Sequence, residues 1–122
     1  MNANNLILVI DDELEIRVLL TRFLTKKGFD VVSAGSIGEG RTELNRKRPF
    51  LIFLDVNLPD GNGLKELKKI NSEKNPYQVI MMSAFDDQEV RSEALNSGAI
   101  DFLSKPFNIA QLNELVKNQP KS

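Results

Sequence analysis

Leu6-Ile7-Leu8-Val9-Ile10-Asp11-Asp12 is a run of five apolar residues cut off by two carboxylates. A continuous apolar run of this length, rather than an alternating one, is what a strand buried on both faces of a sheet requires. The same pattern returns at Phe50-Leu51-Ile52-Phe53-Leu54-Asp55 and at Gln78-Val79-Ile80-Met81-Met82-Ser83. A shorter version, Ile100 to Leu103, ends near Lys105-Pro106, and Phe29 to Ala34 reads as a further strand.

Between these runs the apolar residues change to helical spacing. Ile16, Leu19, Leu20, Phe23 and Leu24 form the stripe of a first helix, mainly core, with Gly28 as its stop. Ser36-Ile37-Gly38-Glu39 matches a capping box that opens a second helix, weakened by Gly38 and Gly40. After a Pro-Gly turn, Leu64, Leu67 and Ile70 mark a third helix. Val90, Ala94 and Leu95, stopped by Gly98, mark a fourth. Asn108 caps a fifth that carries Ile109, Leu112, Leu115 and Val116. Five strands alternating with five helices predict an α/β fold with a parallel sheet covered on both faces. One domain is expected over residues 1–122, with its core at about 6–117 and a polar tail at 118–122. No repeat, linker or low-complexity segment interrupts it.

Composition narrows the chemistry. A formal net charge of -1 over 122 residues gives no broad positive field for nucleic acid or an anionic membrane. The apolar runs fall far short of the roughly 20 residues that a membrane helix needs. The Asn-rich start does not resemble a signal peptide, so a cytoplasmic location is expected. The chain has no cysteine and no histidine. Thiolate sites, thiol nucleophiles, zinc sites of the common kind and His-based triads are therefore excluded. Any metal must be held by oxygen, which favours magnesium, calcium or manganese.

Asp11, Asp12, Asp55, Ser83 and Lys105 all fall at or just after the C-terminal end of a predicted strand. In an open parallel sheet those ends share one edge, where ligands bind. Two carboxylates about 4 Å apart repel by roughly 4 kcal/mol at an effective dielectric near 20, a conflict that a hard divalent cation removes. Asp55 is then a nucleophile able to form an acyl phosphate, Lys105 a mobile cation for a phosphoryl oxygen, and Ser83 a hydroxyl donor for another. Taken singly, each has a plainer reading. An Asp-Asp pair caps helices, a lysine before proline is usually solvated, and a serine in a loop bonds its own backbone. Their coincidence at successive strand ends favours a single site.

Val9-Ile10-Asp11-Asp12-Glu13, Leu54-Asp55-Val56-Asn57-Leu58-Pro59, Gly61-Asn62-Gly63, Met82-Ser83-Ala84 and Phe102-Leu103-Ser104-Lys105-Pro106-Phe107 resemble, in order and spacing, a response-regulator receiver domain. The likeness runs from Ile7 to about Val116. It implies a doubly wound, flavodoxin-like three-layer sandwich with strand order 2-1-3-4-5. It implies Asp55 as the phosphorylation site of a two-component system and Asp11 and Asp12 as the acidic pair for Mg2+, with Asp12 the direct ligand. Asn57 would add its backbone carbonyl, and Mn2+ would substitute for Mg2+. Ser83 and Lys105 would contact the phosphoryl group, across a cis Lys105-Pro106 bond. Phe102 would be the switch aromatic, in a population shift that also involves Ser83.

Ser83 keeps the hydroxyl of the threonine common at that position, whereas Phe102 lacks the hydroxyl of the alternative tyrosine. Phe85, two residues past Ser83, is expected to shield an acyl phosphate and slow its hydrolysis. The expected partners are a histidine kinase or phosphotransfer protein and an unknown downstream protein. The fourth helix, fifth strand and fifth helix form the output face, also suited to homodimerisation. Ile16 is read in addition as a docking contact for the phosphodonor. Arg41, Arg46, Lys47 and Arg48, like Lys65, Lys68 and Lys69, are read as solvated charges, and Met81 and Met82 as strand core.

No turnover on a separate substrate is expected. The alternatives are a receiver excised from a larger DNA-binding or enzymatic regulator, and an aspartyl-phosphate hydrolase. The tail past Val116 offers no effector domain, and the hydrolases usually carry a second acid where Asn57 stands. A flavin carrier of like topology would need a phosphate loop and a Trp or Tyr near the strand ends, neither of which is evident.

Overall fold

The computed structural model describes residues 4–72, 77–84 and 88–117. In chain order these form β1 (Leu6–Ile10), α1 (Leu14–Lys26), β2 (Asp30–Ala34), α2 (Ile37–Lys47), β3 (Leu51–Asp55), β4 (Asn57–Leu58), β5 (Gly61–Asn62), α3 (Gly63–Asn71), β6 (Gln78–Ser83), α4 (Gln88–Asn96), β7 (Asp101–Ser104) and α5 (Ile109–Lys117). The main sheet has the order β2-β1-β3-β6-β7, with every pairing parallel. Counting only its own strands, that is the expected order 2-1-3-4-5. β4 and β5 form a two-residue antiparallel pair where the sequence suggested a plain Pro-Gly turn.

The unbroken apolar runs are explained by the pleat, which sends successive side chains to opposite faces. Ile7, Val9, Leu51, Phe53, Ile80 and Met82 pack with Leu20, Phe23 and Leu24 of α1 and Leu112, Leu115 and Val116 of α5. Leu8, Ile10, Ile52, Leu54, Val79 and Met81 pack on the other face with Leu64, Leu67 and Ile70 of α3 and Ala94 of α4. Met81 and Met82 are both fully buried, as expected of strand core. Leu19, counted in the core stripe of the first helix, is instead more than a third exposed. The stripe is wider than the surface α1 covers.

The second helix has help from far away in sequence. Ser36 Oγ accepts from the Glu39 backbone N–H at 3.2 Å, as a capping box requires. The Glu39 carboxylate, however, reaches back to the Gly35 N–H (2.7 Å), one residue before the cap. Asp60 then accepts from the N–H groups of Ile37 (2.8 Å) and Gly38 (3.0 Å). The loop after β3 is thereby clamped to the first turn of a helix that contains two glycines. Those two bonds hold the Asp60 carboxyl below its ordinary range. At the start of α5, Asn108 and Gln111 cap each other through side chain and backbone at 2.8 Å each way.

Arg41, read as a solvated charge, is exposed, and it also reaches a distant acid. Its guanidinium forms a two-pronged ion pair with Glu66 at 2.7 and 2.9 Å, tying α2 to α3. Glu66 is buried, and a buried carboxylate needs such a partner.

Gly63 opens α3 directly against the end of β3. A Cβ there would overlap the Asp55 carbonyl oxygen and press on Val56. Gly63→Ala is therefore expected to lower the free energy of unfolding by about 1–3 kcal/mol, the usual range for overpacking, as read from urea denaturation.

Candidate functional site

The ends of β1, β3, β6 and β7 place the site. Asp11 continues the β1–β2 pairing through its N–H to the Ala34 carbonyl (3.0 Å). Its Oδ1 accepts from the Glu13 N–H at 2.9 Å, and Arg17 Nη1 donates to its carbonyl at 2.7 Å. These bonds fix the backbone, so the carboxylate has one direction in which to point. Asp55 is the last residue of β3 and lies in register with Met82. Just past it, Val56 N–H donates to the Met82 carbonyl at 2.9 Å. Ser83, fully buried, ends β6, and its carbonyl accepts from the Lys105 N–H at 2.8 Å. The Lys105-Pro106 bond is cis.

Lys105 Nζ stands among three carboxylates, 2.6 Å from Asp11 Oδ2, 2.9 Å from Glu13 Oε1 and 3.3 Å from Asp55 Oδ2. One carboxylate oxygen each from Asp11, Asp12, Glu13 and Asp55 falls within 4.8 Å of the others. Asp11 and Asp55 are buried, while Asp12 and Glu13 are exposed at the rim. Burial, then the charge of Asp11, pushes the Asp55 carboxyl up to about 6, against the opposing pull of Lys105 and of the Asn57 N–H. Burial likewise raises Asp11, against Lys105 and the Glu13 N–H. Burial disfavours the Lys105 charge, but its close contacts with the Asp11 and Glu13 carboxylates and the charges of Asp55 and Asp11 outweigh it and raise the ammonium above its ordinary value.

Four acids facing one ammonium leave an excess of negative charge in a partly buried pocket. Asp11 Oδ2 is buried and, despite its ion pair, accepts no well-directed hydrogen bond. An all-oxygen donor set with a spare buried lone pair fits a hard divalent cation, and magnesium in particular.

Of the residues expected at the site, Asp11, Asp12, Asp55 and Lys105 meet, and Ser83 lies at the neighbouring strand end. Asn57 is exposed in β4, and its N–H is among the groups that pull the Asp55 carboxyl down. Phe102 is buried on the α3–α4 face of the sheet, outside the acidic group. Ile16 is partly buried against the α1–α5 face. Phe85 lies outside the described residues. Glu13 is the residue the sequence reading passed over. Its signal was a third consecutive acid after β1, taken there only as part of a longer pattern.

The sheet order and the acids around a lysine define a doubly wound α/β domain with one anionic pocket at the C-terminal edge of its sheet. Residues 7–117 match the family model described as response regulator receiver domain, and the chain belongs to that family. It is similar to the regulatory protein AtoC of Escherichia coli (35% identical, covering 96% of this chain and 25% of AtoC). It is similar also to sporulation initiation phosphotransferase F of Bacillus subtilis (30% identical, covering 93% of this chain and 92% of that protein). A two-component response regulator from Clostridium difficile superposes with a TM-score of 0.87 at 32% identity, over 93% of each chain. The chain spans between about a quarter and a half of the first three curated relatives. None of the described helices is long and apolar enough to cross a membrane.

Proposed function

We propose that residues 6–117 work as one phosphoacceptor unit in which Asp55 takes the phosphoryl group. The observation that carries this reading is Lys105 Nζ held between Asp11, Glu13 and Asp55 at the ends of two strands. An Asp55 oxygen attacks phosphorus, the bond to the donor's nitrogen or oxygen breaks, and an acyl phosphate forms on the side chain. Lys105 leaves its carboxylate partners for a phosphoryl oxygen, and the Ser83 hydroxyl donates to another. Asp11, Asp12, Asp55 and the Asn57 backbone carbonyl would hold Mg2+, with Mn2+ as a substitute. The ion would supply the positive charge that lets an anionic donor approach these acids.

The chain catalyses only its own phosphorylation and dephosphorylation. Its donor is a histidine kinase or phosphotransfer protein, which uses Ile16 as a contact. Its output face comprises α4, β7 and α5, with Phe102 and Ser83 as the switch pair, and serves a downstream protein or a second copy. The domain works in the cytoplasm.

Acetyl phosphate labelling tests the reading. One phosphoryl group per chain with Mg2+, and none with EDTA, is expected. Equal labelling without the metal, or turnover of a generic phosphoester, would contradict it.

Glu13 gives a second test. It is exposed, and a unit charge about 5 Å from an incoming anion in near-aqueous dielectric is worth about 0.8 kcal/mol. Glu13→Gln is expected to raise the second-order rate of labelling by acetyl phosphate about fourfold at low salt, and by less as salt is added. A rate that is unchanged at low salt would show that Glu13 does not act on the donor.

A further inference from the structure

Phe102 has no hydroxyl with which to fix its ring, yet the ring is buried. What lies against it is a cation. The Arg91 guanidinium of α4 is 4.8 Å from the ring centroid, close enough for attraction to the π face. Arg91 Nη2 also donates to Ser104 Oγ at 3.1 Å. Ser104 is the last residue of β7 and lies in register with Ser83, the last residue of β6. One α4 side chain therefore touches both the aromatic and the strand end beside the acidic pocket.

An alternative place for the ring exists. Arg91, Phe102, Ser104, Gln111 and Leu115 line a cavity of about 530 Å³ between α4, β7 and α5. A phenyl ring swinging outward would enter it, leaving its buried apolar neighbours and its present seat under the guanidinium. The cavity leaves room for a second packing of the ring, and the guanidinium lies against the packing observed.

We propose that Arg91 is a positioning residue that holds Phe102 turned inward even without phosphate at Asp55. The orientation of the aromatic is then set from α4 as well as from the acceptor pocket. This rests on the reading of Phe102 as the switch residue. It adds that the guanidinium does for phenylalanine what a hydroxyl partner would do for tyrosine. A downstream protein that draws Arg91 away with a carboxylate would release the ring.

The test uses the full chain with 4-fluorophenylalanine at its seven phenylalanines, the Phe102 19F resonance being assigned by its loss in Phe102→Leu. In the metal-free parent, that resonance is expected to show a buried ring, with little shift between H2O and D2O. It should change little when beryllofluoride and Mg2+ are added. In metal-free Arg91→Ala, the inward-to-outward ratio is expected to fall about tenfold. The resonance should then move and gain a solvent isotope shift, both reversed by beryllofluoride with Mg2+. Arg91→Lys, which keeps the charge but loses the planar face and the fork, should fall between the two.

A Phe102 resonance in metal-free Arg91→Ala with the parent's position and isotope shift would overturn the proposal, even if the unfolding midpoint had dropped. The decisive comparison needs no phosphoryl analogue. Failure of beryllofluoride to bind the parent would instead count against Asp55 as the acceptor.

Discussion

Asp55→Asn is expected to end phosphoryl acceptance and, in the metal-free protein at neutral pH, to raise the free energy of unfolding by about 3 kcal/mol. The first effect follows because an amide is no nucleophile toward phosphorus. The second follows from the electrostatics of the pocket. Asp55 is 4% exposed and faces Asp11, so burial and like charge lift its carboxyl from 3.8 to about 6. A carboxyl whose folded value is raised favours the folded state while protonated. That contribution is fully present below 3.8 and is lost as the pH rises through about 6. Asparagine keeps the shape and never ionises, so its advantage should be near zero at the acid end of this window and full above it. Asp11, raised for the same first reason, shifts in the same direction and remains in both proteins. Urea denaturation in EDTA across the window measures the difference. Saturating Mg2+ should shrink it, since the ion stabilises the ionised form. A variant less stable than the parent at neutral pH, or a difference independent of pH, would contradict this account.

Lys105→Ala should act in the opposite sense and by a similar or larger amount. The lysine is buried and is the shared partner of Asp11, Glu13 and Asp55. Removing one member of a buried charge pair typically costs about 3–5 kcal/mol, because the partner charge is left uncompensated. Here the acids respond by holding protons more tightly. Stability should therefore fall more steeply than in the parent as the pH rises from the acid end toward neutral. Mg2+ is expected to recover much of the loss, giving the variant a larger metal-dependent rise in urea midpoint than the parent. Equal midpoints for the two proteins in EDTA would mean that Lys105 does not balance these acids.

The strands could be read from sequence because a parallel sheet buried on both faces leaves no polar alternation in its strands. β1 agrees residue for residue, and β2 and β3 begin one residue later than expected. The site followed from the fold, since Asp11, Asp55, Ser83 and Lys105 share the sheet edge where parallel strands end. What escaped was tertiary and local. The clamp of Asp60 on α2 joins residues 22 and 23 apart, and the Arg41–Glu66 pair joins residues 25 apart. No periodic pattern marks which charged loop or helix residue will meet which distant N–H or carboxylate. β4 and β5 are too short for alternation to show. Glu13 was in plain view but ambiguous, because an acid near a helix start serves the helix dipole as readily as a neighbouring lysine.

Whether Asp55 carries the phosphoryl group is decided by peptide mass spectrometry after acetyl phosphate treatment with Mg2+. The expected result is the added mass of one phosphoryl group on Asp55, discharged by hydroxylamine as an acyl phosphate should be, and missing from the same peptide of Asp55→Asn. A hydroxylamine-stable adduct on a serine or threonine, or full labelling of Asp55→Asn, would contradict it.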